Sequence, residues 1–352
     1  MKIGIVLGTR PEVMKNYAIV QALRAAEVDF VVLHTNQHQD PLLREAIFSQ
    51  MGYVPDFIFP QSYRIGAAID WVCDLIHLLQ IDLILVNGDT AASIIGGIAA
   101  VYSDVGLVHV EAGLRAFDNC MYEERNRIMV DSAAHYLFTY TQQHAEYLNK
   151  IPDLRGRIFN VGNTTVDLIQ DFSDELVKLR SDTYAYITLH RKEFTDSRER
   201  MIDVFSTLNA LADEFDAMIF PMHPRTRATM KEHGLSLDLL SRIEVIDSVD
   251  PLTSLSYQKS AELIITDSGC IQEEAYILGV PCVTVRDNTE RSETIVAGAN
   301  VLTGFSPTII RDRVRSQRHC HNQPFPPVYG ESGAGQRIVK TLQECFSNWR
   351  TY

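Results

Sequence analysis

The chain has 352 residues, which is long for a single hydrophobic core and favours two domains. Apolar residues make up 46% of the chain and charged residues 22%, proportions that are typical of globular proteins. The net charge of −13 disfavours proteins that wrap nucleic acid or lie on anionic membranes, so neither partner is expected.

The first half of the chain alternates short apolar runs with segments of helical spacing. This alternation is typical of a parallel sheet whose strands are buried on both faces and joined by helices. We predict strands at residues 2–7, 30–34, 83–86, 106–110 and 158–160, and helices at 12–26, 42–51, 65–79 and 123–137. Within the last helix, Arg127 and Asp131 lie four residues apart, and we predict that they form an ion pair.

The loop after the first strand carries two cations. Arg10 and Lys15 would both lie near the start of a helix, a position that Pro11 suits. Because that end of a helix is already positive, two further cations are costly without an anion. We therefore predict that they contact a phosphate; the alternative is a pair of solvated surface cations. The loop fits neither the dinucleotide fingerprint nor the P-loop pattern.

Carboxylates follow two further strands of the first half. Asp89 follows the strand at 83–86, and Glu111 follows the strand at 106–110. Glu123 and Glu124 begin the next predicted helix, and the sequence does not distinguish between them. Carboxylates that converge in one cleft raise one another's pKa, which supplies an acid and a base near neutral pH. The alternative is that these acids are helix caps and partners of the helix dipole.

A second series of strands begins near residue 184. We predict strands at residues 186–189, 218–221, 243–246, 263–266 and 282–285, separated by helices such as 199–215, and a last helix at 336–349. The predicted fold class is α/β, with two Rossmann-like doubly wound domains joined near residues 165–182 and an interdomain cleft. Ligands of such folds bind at the carboxyl ends of the strands.

The segment from Thr266 to Ala275 has the layout of a phosphate site. A strand, an Asp-Ser-Gly loop that includes Ser268 and Gly269, and a helix follow one another. Backbone N–H groups at such a helix N-terminus attract an anion. Glu274, further into the helix, would accept hydrogen bonds from sugar hydroxyls beside that anion. The alternative is an ordinary helix in a parallel sheet, with Ser268 as its cap.

Basic side chains follow three other strands of this half. His190 and His223 each end a strand and suit the role of hydrogen-bond donor, acid or phosphate contact. Arg286 or Arg291, after the strand at 282–285, would clamp a phosphate with two parallel hydrogen bonds. The alternatives are structural histidines and a surface cluster of ion pairs.

The six cysteines are scattered and show no paired spacing, which favours free thiols in a reducing cytoplasm. No cluster has the spacing of a zinc site, and neither H-E-x-x-H nor G-x-S-x-G occurs. We therefore expect neither a metal nor another cofactor.

Taken in chain order, these motifs resemble the UDP-N-acetylglucosamine 2-epimerase family along about the whole chain. The segments that carry the resemblance are GTRPEVMK (8–15), NGDT (87–90), HVEAGLR (109–115), EERNR (123–127), GNTTVD (162–167), HRKE (190–193), HPR (223–225), TDSGCIQEEA (266–275), TERSE (289–293) and YGESGAGQRIV (329–339). Each segment is weak by itself, but ten in one order are highly specific.

The resemblance implies a fold of the glycosyltransferase-B type and a homodimer. It implies a first domain at residues 1–167, completed by a returning helix at 336–352, and a UDP-binding domain at 168–335. The implied reaction inverts C2 of a UDP-linked N-acetylamino sugar. In this route a proton leaves C2, UDP is eliminated anti, and UDP adds back to the 2-acetamidoglucal after a proton reaches the other face.

The resemblance also implies a role for each matched residue. Asp89, Glu111 and Glu123 are the implied acid–base groups, and His190 lies nearest the leaving phosphate. The implied contacts to phosphate or sugar are Arg10, Lys15, His223, Ser268, Gly269 and Arg291, with Glu274 on the ribose.

Three alternatives remain open at this point. A hydrolysing relative would release UDP and free N-acetylmannosamine, and a glycosyltransferase of the same fold would need an acceptor. Cys270 stands where the family has a second glycine, which is one of several differences that would suit another sugar, such as a 6-deoxy or 2,3-diacetamido substrate.

Overall fold

The computed structural model describes residues 1–37, 41–61, 63–321 and 324–346, with side chains throughout these ranges except at 41–43. The chain divides into two compact units. The first consists of Met1–Asp171 with Val328–Tyr352, and the second of Phe172–Pro327. In the described ranges, no helix has both the length and the apolar character needed to cross a bilayer.

The first unit is built on a seven-stranded sheet in which every pairing is parallel. Its strands are β1 (Lys2–Leu7), β2 (Asp29–His34), β3 (Phe57–Ile58), β4 (Leu83–Asn87), β5 (Gly106–Val110), β6 (Tyr136–Thr139) and β7 (Arg157–Asn160). Their order is β3-β2-β1-β4-β5-β6-β7. The central strands are apolar on both faces because helices cover both, and Ile5, Val86 and Val108 are all fully buried.

The helices of this unit connect successive strands. They are α1 (Arg10–Ala25), α2 (Pro41–Gln50), α3 (Ile65–Leu79), α4 (Ala91–Tyr102), α5 (Tyr122–Ala133), α6 (Gln142–Leu148) and α7 (Thr164–Asp171). The predicted helix at 123–137 is wrong at its end. It stops at Ala133, and β6 follows almost at once, because Tyr136–Thr139 pairs with both β5 and β7.

The second unit repeats this plan with a six-stranded parallel sheet. Its strands are β8 (Tyr184–Thr188), β9 (Ala217–Met222), β10 (Glu244–Asp247), β11 (Leu263–Thr266), β12 (Cys282–Thr284) and β13 (Asn300–Leu302), in the order β10-β9-β8-β11-β12-β13. Its helices are α8 (Lys192–Thr195), α9 (Arg198–Leu211), α10 (Pro224–Glu232), α11 (Pro251–Ser260), α12 (Gly269–Leu278), α13 (Ser292–Val296) and α14 (Pro307–Arg318), with 3₁₀ turns at Ala212–Glu214 and Leu237–Leu240. The predicted fold class, two Rossmann-like parallel-sheet α/β domains, is confirmed.

The last described helix, α15 (Ala334–Cys345), belongs to the first unit. Its first N–H groups, at Gly333, Ala334 and Gly335, donate to the carboxylate of Asp167. It crosses α1 so closely that a Cβ at Gly335 would lie 2.3 Å from the carbonyl oxygen of Ala18. Residues 347–352, which the predicted C-terminal helix included, lie outside the described residues.

Candidate active site

The carboxylates predicted in the first unit lie at the carboxyl ends of neighbouring strands. Asp89 follows β4 and Glu111 follows β5, and these two strands pair directly. Glu111 has a φ of 67°, in the left-handed region that few residues other than glycine adopt. Strained backbone of this kind is common at functional sites.

An alternating network of charges joins these acids. The Glu111 carboxylate, 1% exposed, accepts hydrogen bonds from Lys15 Nζ and, at 3.0 Å, from Arg127 Nη2. The fully buried Arg127 also donates to Asp89 Oδ2. Each carboxylate therefore has a cation beside it, which compensates the repulsion that two neighbouring carboxylates would otherwise feel.

Two predictions change with this network. The predicted pair of Arg127 and Asp131 is wrong, because Arg127 bonds to Asp89 and Glu111 while Asp131 bonds to other groups. Lys15 is 7% exposed, which contradicts the alternative of a solvated surface cation. Arg10, the first residue of α1, is half-buried.

The structure distinguishes the two glutamates that begin α5. Glu124 is buried, and its Oε2 accepts a hydrogen bond of 2.7 Å from the Ala116 N–H. Its other oxygen lies 4.0 Å from Arg115 Nε. Glu123 is half-buried. Glu124 is therefore held by the preceding loop, and Glu123 is the more accessible carboxylate of the two.

Glu12 is a further buried acid that the sequence analysis did not select. Its Oε2 accepts from the N–H groups of Gly8 and Thr9 at 2.9 and 2.8 Å and from Thr9 Oγ1 at 2.8 Å. Its Oε1 accepts from Thr90 Oγ1 at 2.6 Å. Burial raises the pKa of Glu12 to about 6, although hydrogen bonds from Thr90, Gly8 and Thr9 act in the other direction. Glu12 thus connects the loop after β1 to the loop after β4.

The two histidines that were predicted as site residues, His190 and His223, lie together. Their rings are stacked, with centroids 4.9 Å apart and planes inclined by 22°. Asp267, fully buried, accepts 2.7 Å hydrogen bonds from the N–H groups of His190 and Arg191. Burial lowers the pKa of His190, and the Asp267 carboxylate opposes that change, so the neutral imidazole is favoured at neutral pH. His223 Nδ1 accepts from the Arg225 N–H at 3.1 Å and caps α10.

The predicted phosphate loop begins α12. Ser268 occupies the N-cap position, but in the described structure its side chain makes no capping hydrogen bond. A Cβ at Gly269 would lie 3.6 Å from Cζ of Arg291, so this guanidinium lies beside the helix N-terminus. A cation there is unfavourable by itself. The buried Glu273 compensates it, with Oε1 2.5 Å from Arg291 Nε.

Other residues of this region are engaged in the core. Glu274 is 6% exposed, and its Oε2 accepts a 2.6 Å hydrogen bond from Gln258 Nε2. Arg286 pairs with Glu290 at 3.1 Å. Cys270, in the first turn of α12, is half-buried, and like the other five cysteines it is a free thiol. Across the ranges given above, no group of three or more His, Cys, Asp or Glu side chains is arranged to hold a metal ion.

Known proteins resemble this chain over nearly its full length. The UDP-N-acetylglucosamine 2-epimerase of Methanocaldococcus jannaschii is 35% identical over 97% of this chain and 99% of its own. A Pseudomonas aeruginosa relative named UDP-2,3-diacetamido-2,3-dideoxy-D-glucuronate 2-epimerase is 32% identical, over 97% and 99% of the two chains.

Solved structures extend the likeness to the fold. The M. jannaschii enzyme in complex with UDP-GlcNAc and UDP superposes with a TM-score of 0.89 at 35% identity, covering 98% of this chain and 100% of that one. The Neisseria meningitidis UDP-GlcNAc 2-epimerase bound to UDP-GlcNAc gives a TM-score of 0.85 at 26% identity, over 98% and 100% of the chains. These neighbours confirm the predicted fold of the glycosyltransferase-B type.

A sequence model described as UDP-N-acetylglucosamine 2-epimerase matches residues 21–343. This match covers most of the chain, including β4, β5 and the α12 loop, and agrees with the full-length relatives. The chain therefore belongs to the UDP-N-acetylglucosamine 2-epimerase family.

Proposed function

We propose that the protein is a non-hydrolysing 2-epimerase that interconverts UDP-N-acetylglucosamine and UDP-N-acetylmannosamine. The observation that carries this proposal is the charge network in which Asp89 and Glu111 share Arg127 at the ends of β4 and β5. Binding of a nucleotide diphosphate needs no carboxylates, whereas inversion at a carbon needs groups that remove and return a proton. The M. jannaschii structure contains UDP-GlcNAc and UDP, the substrate and the leaving group of this reaction.

The proposed reaction proceeds by elimination and addition. A carboxylate takes the proton from C2, the C1–C2 double bond forms, and the C1–O bond breaks with its electron pair going to UDP. A proton then reaches C2 of the 2-acetamidoglucal from the opposite face, and UDP adds back at C1. Atoms balance without a redox partner, so the route needs no cofactor.

We assign the proton transfers to Asp89 and Glu123 and an electrostatic role to Glu111. The Asp89 side chain is 19% exposed and Glu123 is half-buried, so a substrate has access to both. Glu111 is 1% exposed and accepts from two cations, which makes it a poor proton acceptor. Its charge would instead fix the positions of Lys15 and Arg127.

We assign the diphosphate to the start of α12 in the second unit. The Ser268 hydroxyl, which makes no capping hydrogen bond, the N–H of Gly269, the Arg291 guanidinium and the neutral His190 are donors that suit a departing phosphate. His223, stacked on His190, is a further phosphate contact in this proposal, and Glu274 is assigned to the ribose. In the first unit, Arg10 and Lys15 are assigned to phosphate or sugar. In this proposal the first unit carries the acid–base groups, and the second unit carries most of the groups that bind UDP.

Incubation with UDP-N-acetylglucosamine in D₂O tests the proposal by NMR. An epimerase places deuterium at C2 and produces a mixture of two UDP-sugars. Accumulation of free UDP with N-acetylmannosamine would establish the hydrolysing reaction instead. Dependence on an acceptor without C2 exchange would establish a glycosyltransferase, and no exchange with any UDP-amino sugar would contradict the epimerase class.

The P. aeruginosa relative supports a second candidate substrate. Its name specifies a 2,3-diacetamido glucuronate, and its identity to this chain is close to that of the M. jannaschii enzyme. Cys270 adds bulk in the first turn of α12, where a second glycine is expected. The D₂O experiment is therefore run on a panel of UDP-sugars that includes a UDP-2,3-diacetamido uronate. If C2 exchange occurs with that sugar alone, the substrate is that sugar and not UDP-N-acetylglucosamine.

We also propose a cytoplasmic homodimer. An apolar groove of about 160 Å³ lies between α4 and α5. Val101, Tyr102 and Met129 at this groove are 53%, 83% and 54% exposed, which is unusual for large apolar side chains that lie together. A second copy of the chain would cover them. Sedimentation velocity of the wild type and of Tyr102→Glu measures this, and a wild-type monomer at micromolar concentration would contradict it.

A further inference from the structure

The two ring nitrogens of His109 each face a buried polar group. The ring is fully buried in β5. Its Nδ1 lies 2.7 Å from Asp131 Oδ1, and its Nε2 lies 2.9 Å from the carbonyl oxygen of Gly88. A backbone carbonyl only accepts hydrogen bonds, so Nε2 must carry a hydrogen.

Asp131 is held by two further donors. Its Oδ2 accepts from Arg115 Nη2 at 2.6 Å and from the Gly113 N–H at 3.2 Å. One hydrogen lies between Nδ1 of His109 and Oδ1 of Asp131. The ring of His109 therefore joins Asp131 to the Gly88 carbonyl through two hydrogen bonds.

His109 belongs to a second chain of linked, buried side chains. Asp131 holds His109 on one side and Arg115 on the other, and Arg115 Nε lies 4.0 Å from Oε1 of Glu124. The side chains of all four residues are at most 5% exposed. Water therefore screens these charges little, and each depends on its neighbours in the chain.

Each end of this chain of side chains lies next to an acid, Asp89 or Glu123, to which the proposed reaction assigns a proton transfer. At one end, His109 binds the carbonyl of Gly88, which shares a peptide unit with the N–H of Asp89. At the other end, Glu124 directly follows Glu123. The Gly88 N–H donates to the Val110 carbonyl at 3.0 Å, so Gly88 is bound on both sides. Its φ of 85° is the left-handed conformation that this double attachment requires.

We propose that His109 is a positioning residue whose two hydrogen bonds fix the Gly88–Asp89 peptide and, through Asp131 and Arg115, the start of α5 at Glu123. This inference rests on the proposed function, because the value of fixing these residues lies in their proton transfers at C2. His109 itself does not touch the substrate. Its role is to keep the two carboxylates in a constant relative position, on which proton transfer to opposite faces of one carbon depends.

The hydrogen on Nε2 is measured without any activity assay. In ¹⁵N-labelled protein, long-range ¹H–¹⁵N spectra distinguish a protonated ring nitrogen from a non-protonated one. The signal of His109 is identified among the 11 histidines as the one absent from His109→Gln. We expect Nε2 of His109 to carry a hydrogen, because it faces the Gly88 carbonyl oxygen. A non-protonated Nε2 would overturn the proposal, whatever the enzyme does with UDP-sugars.

A kinetic comparison tests the positioning role. Glutamine cannot donate to the carboxylate and the carbonyl at opposite sides of the ring, so His109→Gln frees the Gly88 peptide. We expect C2 exchange at saturating substrate to fall by about 100-fold, with the Kd for UDP changed less than threefold. The matched control is His135→Gln, which alters a half-buried histidine at the amino end of the same sheet, where Nδ1 accepts from the Leu107 N–H at 3.1 Å. That variant should keep the wild-type exchange rate.

A second variant keeps the test decisive if His109→Gln does not fold. Asp131→Asn preserves the shape of the partner and weakens its hydrogen bonds to His109 and Arg115, so exchange should fall while the Kd for UDP changes little. Exchange at the wild-type rate in a folded Asp131→Asn variant would overturn the positioning role. If the wild type itself shows no exchange, the proposed function fails, and the NMR result still tests the hydrogen bond from His109 to Gly88.

Discussion

Glu12 gives the stability of the first unit a dependence on pH that can be worked out from its surroundings. The carboxyl is 2% exposed, and burial raises its pKa from an ordinary 4.5 to about 6. Below pH 4.5 the carboxyl is protonated in both the folded and the unfolded chain. Between pH 4.5 and about 6 the unfolded chain loses the proton while the folded chain retains it, so the free energy of unfolding falls as pH rises. Above that window both states are ionised and the contribution is constant.

The size of the change follows from the shift. One pKa unit corresponds to about 1.36 kcal/mol, so a rise from 4.5 to about 6 destabilises the folded state by about 2 kcal/mol above pH 6. Glu12→Gln removes the titration. The substitution also changes the hydrogen bonds with Thr9 and Thr90, but that effect is the same at every pH. The difference in unfolding free energy between variant and wild type should therefore grow by about 2 kcal/mol, in favour of the variant, between pH 4 and pH 7.5.

The assay is urea unfolding of both proteins at half-unit steps of pH, followed by near-UV circular dichroism. Thr90→Val is the matched second variant. It removes a hydrogen bond that lowers the pKa of Glu12. The pH range over which the free energy of unfolding falls should therefore extend above pH 6 in this variant. A difference between Glu12→Gln and wild type that stays constant from pH 4 to pH 7.5 would refute the reasoning, because it would show that the pKa of Glu12 is the same in the folded and unfolded states.

Three further predictions concern the proposed reaction. Asp89→Asn should lower C2 deuterium exchange by about 10²–10⁴-fold while calorimetry shows UDP binding retained; full exchange would remove Asp89 from the proton transfers. Glu123→Gln should also lose exchange but keep the wild-type Tm, whereas Glu124→Gln should lower the Tm because the Ala116 N–H and Arg115 lose a buried anion; equal Tm values would contradict the distinction. Arg291→Met should raise the Kd for UDP by about 10–100-fold, as expected for loss of a charged hydrogen bond to phosphate, with Arg291→Lys between it and the wild type; an unchanged Kd would place the diphosphate elsewhere.

Apolar runs made most of the sheet predictable. In a parallel sheet with helices on both faces, a central strand such as β4 or β11 has no polar face. Its sequence is therefore a short and continuous apolar run. The strand β6 was missed because the apolar spacing of α5 continues into it in the sequence. What ends α5 is the pairing of Tyr136–Thr139 with two neighbouring strands, which no local pattern shows.

The candidate site was predictable to the extent that it follows strand ends. Asp89, Glu111, His190 and Ser268 were predicted because each comes shortly after an apolar run. The partners of Arg127 were predicted wrongly, because the nearest carboxylate in sequence, Asp131, is not the nearest in the fold. Glu12 did carry a signal, since Thr9 and Glu12 form the capping-box spacing. His109 carried none, because a single histidine in an apolar strand does not show what its ring nitrogens face.

The return of α15 to the first unit also sets the order in which the protein can fold during synthesis. Residues 172–327 leave the ribosome before the helix that Asp167 caps and that packs on α1. The second unit is complete at that moment, while the first still exposes the groove where Gly335 will meet Ala18. The amino-terminal unit is thus the last to close, which reverses the usual order of domains made on the ribosome. Until α15 emerges, the face of α1 that meets Gly335 stays exposed.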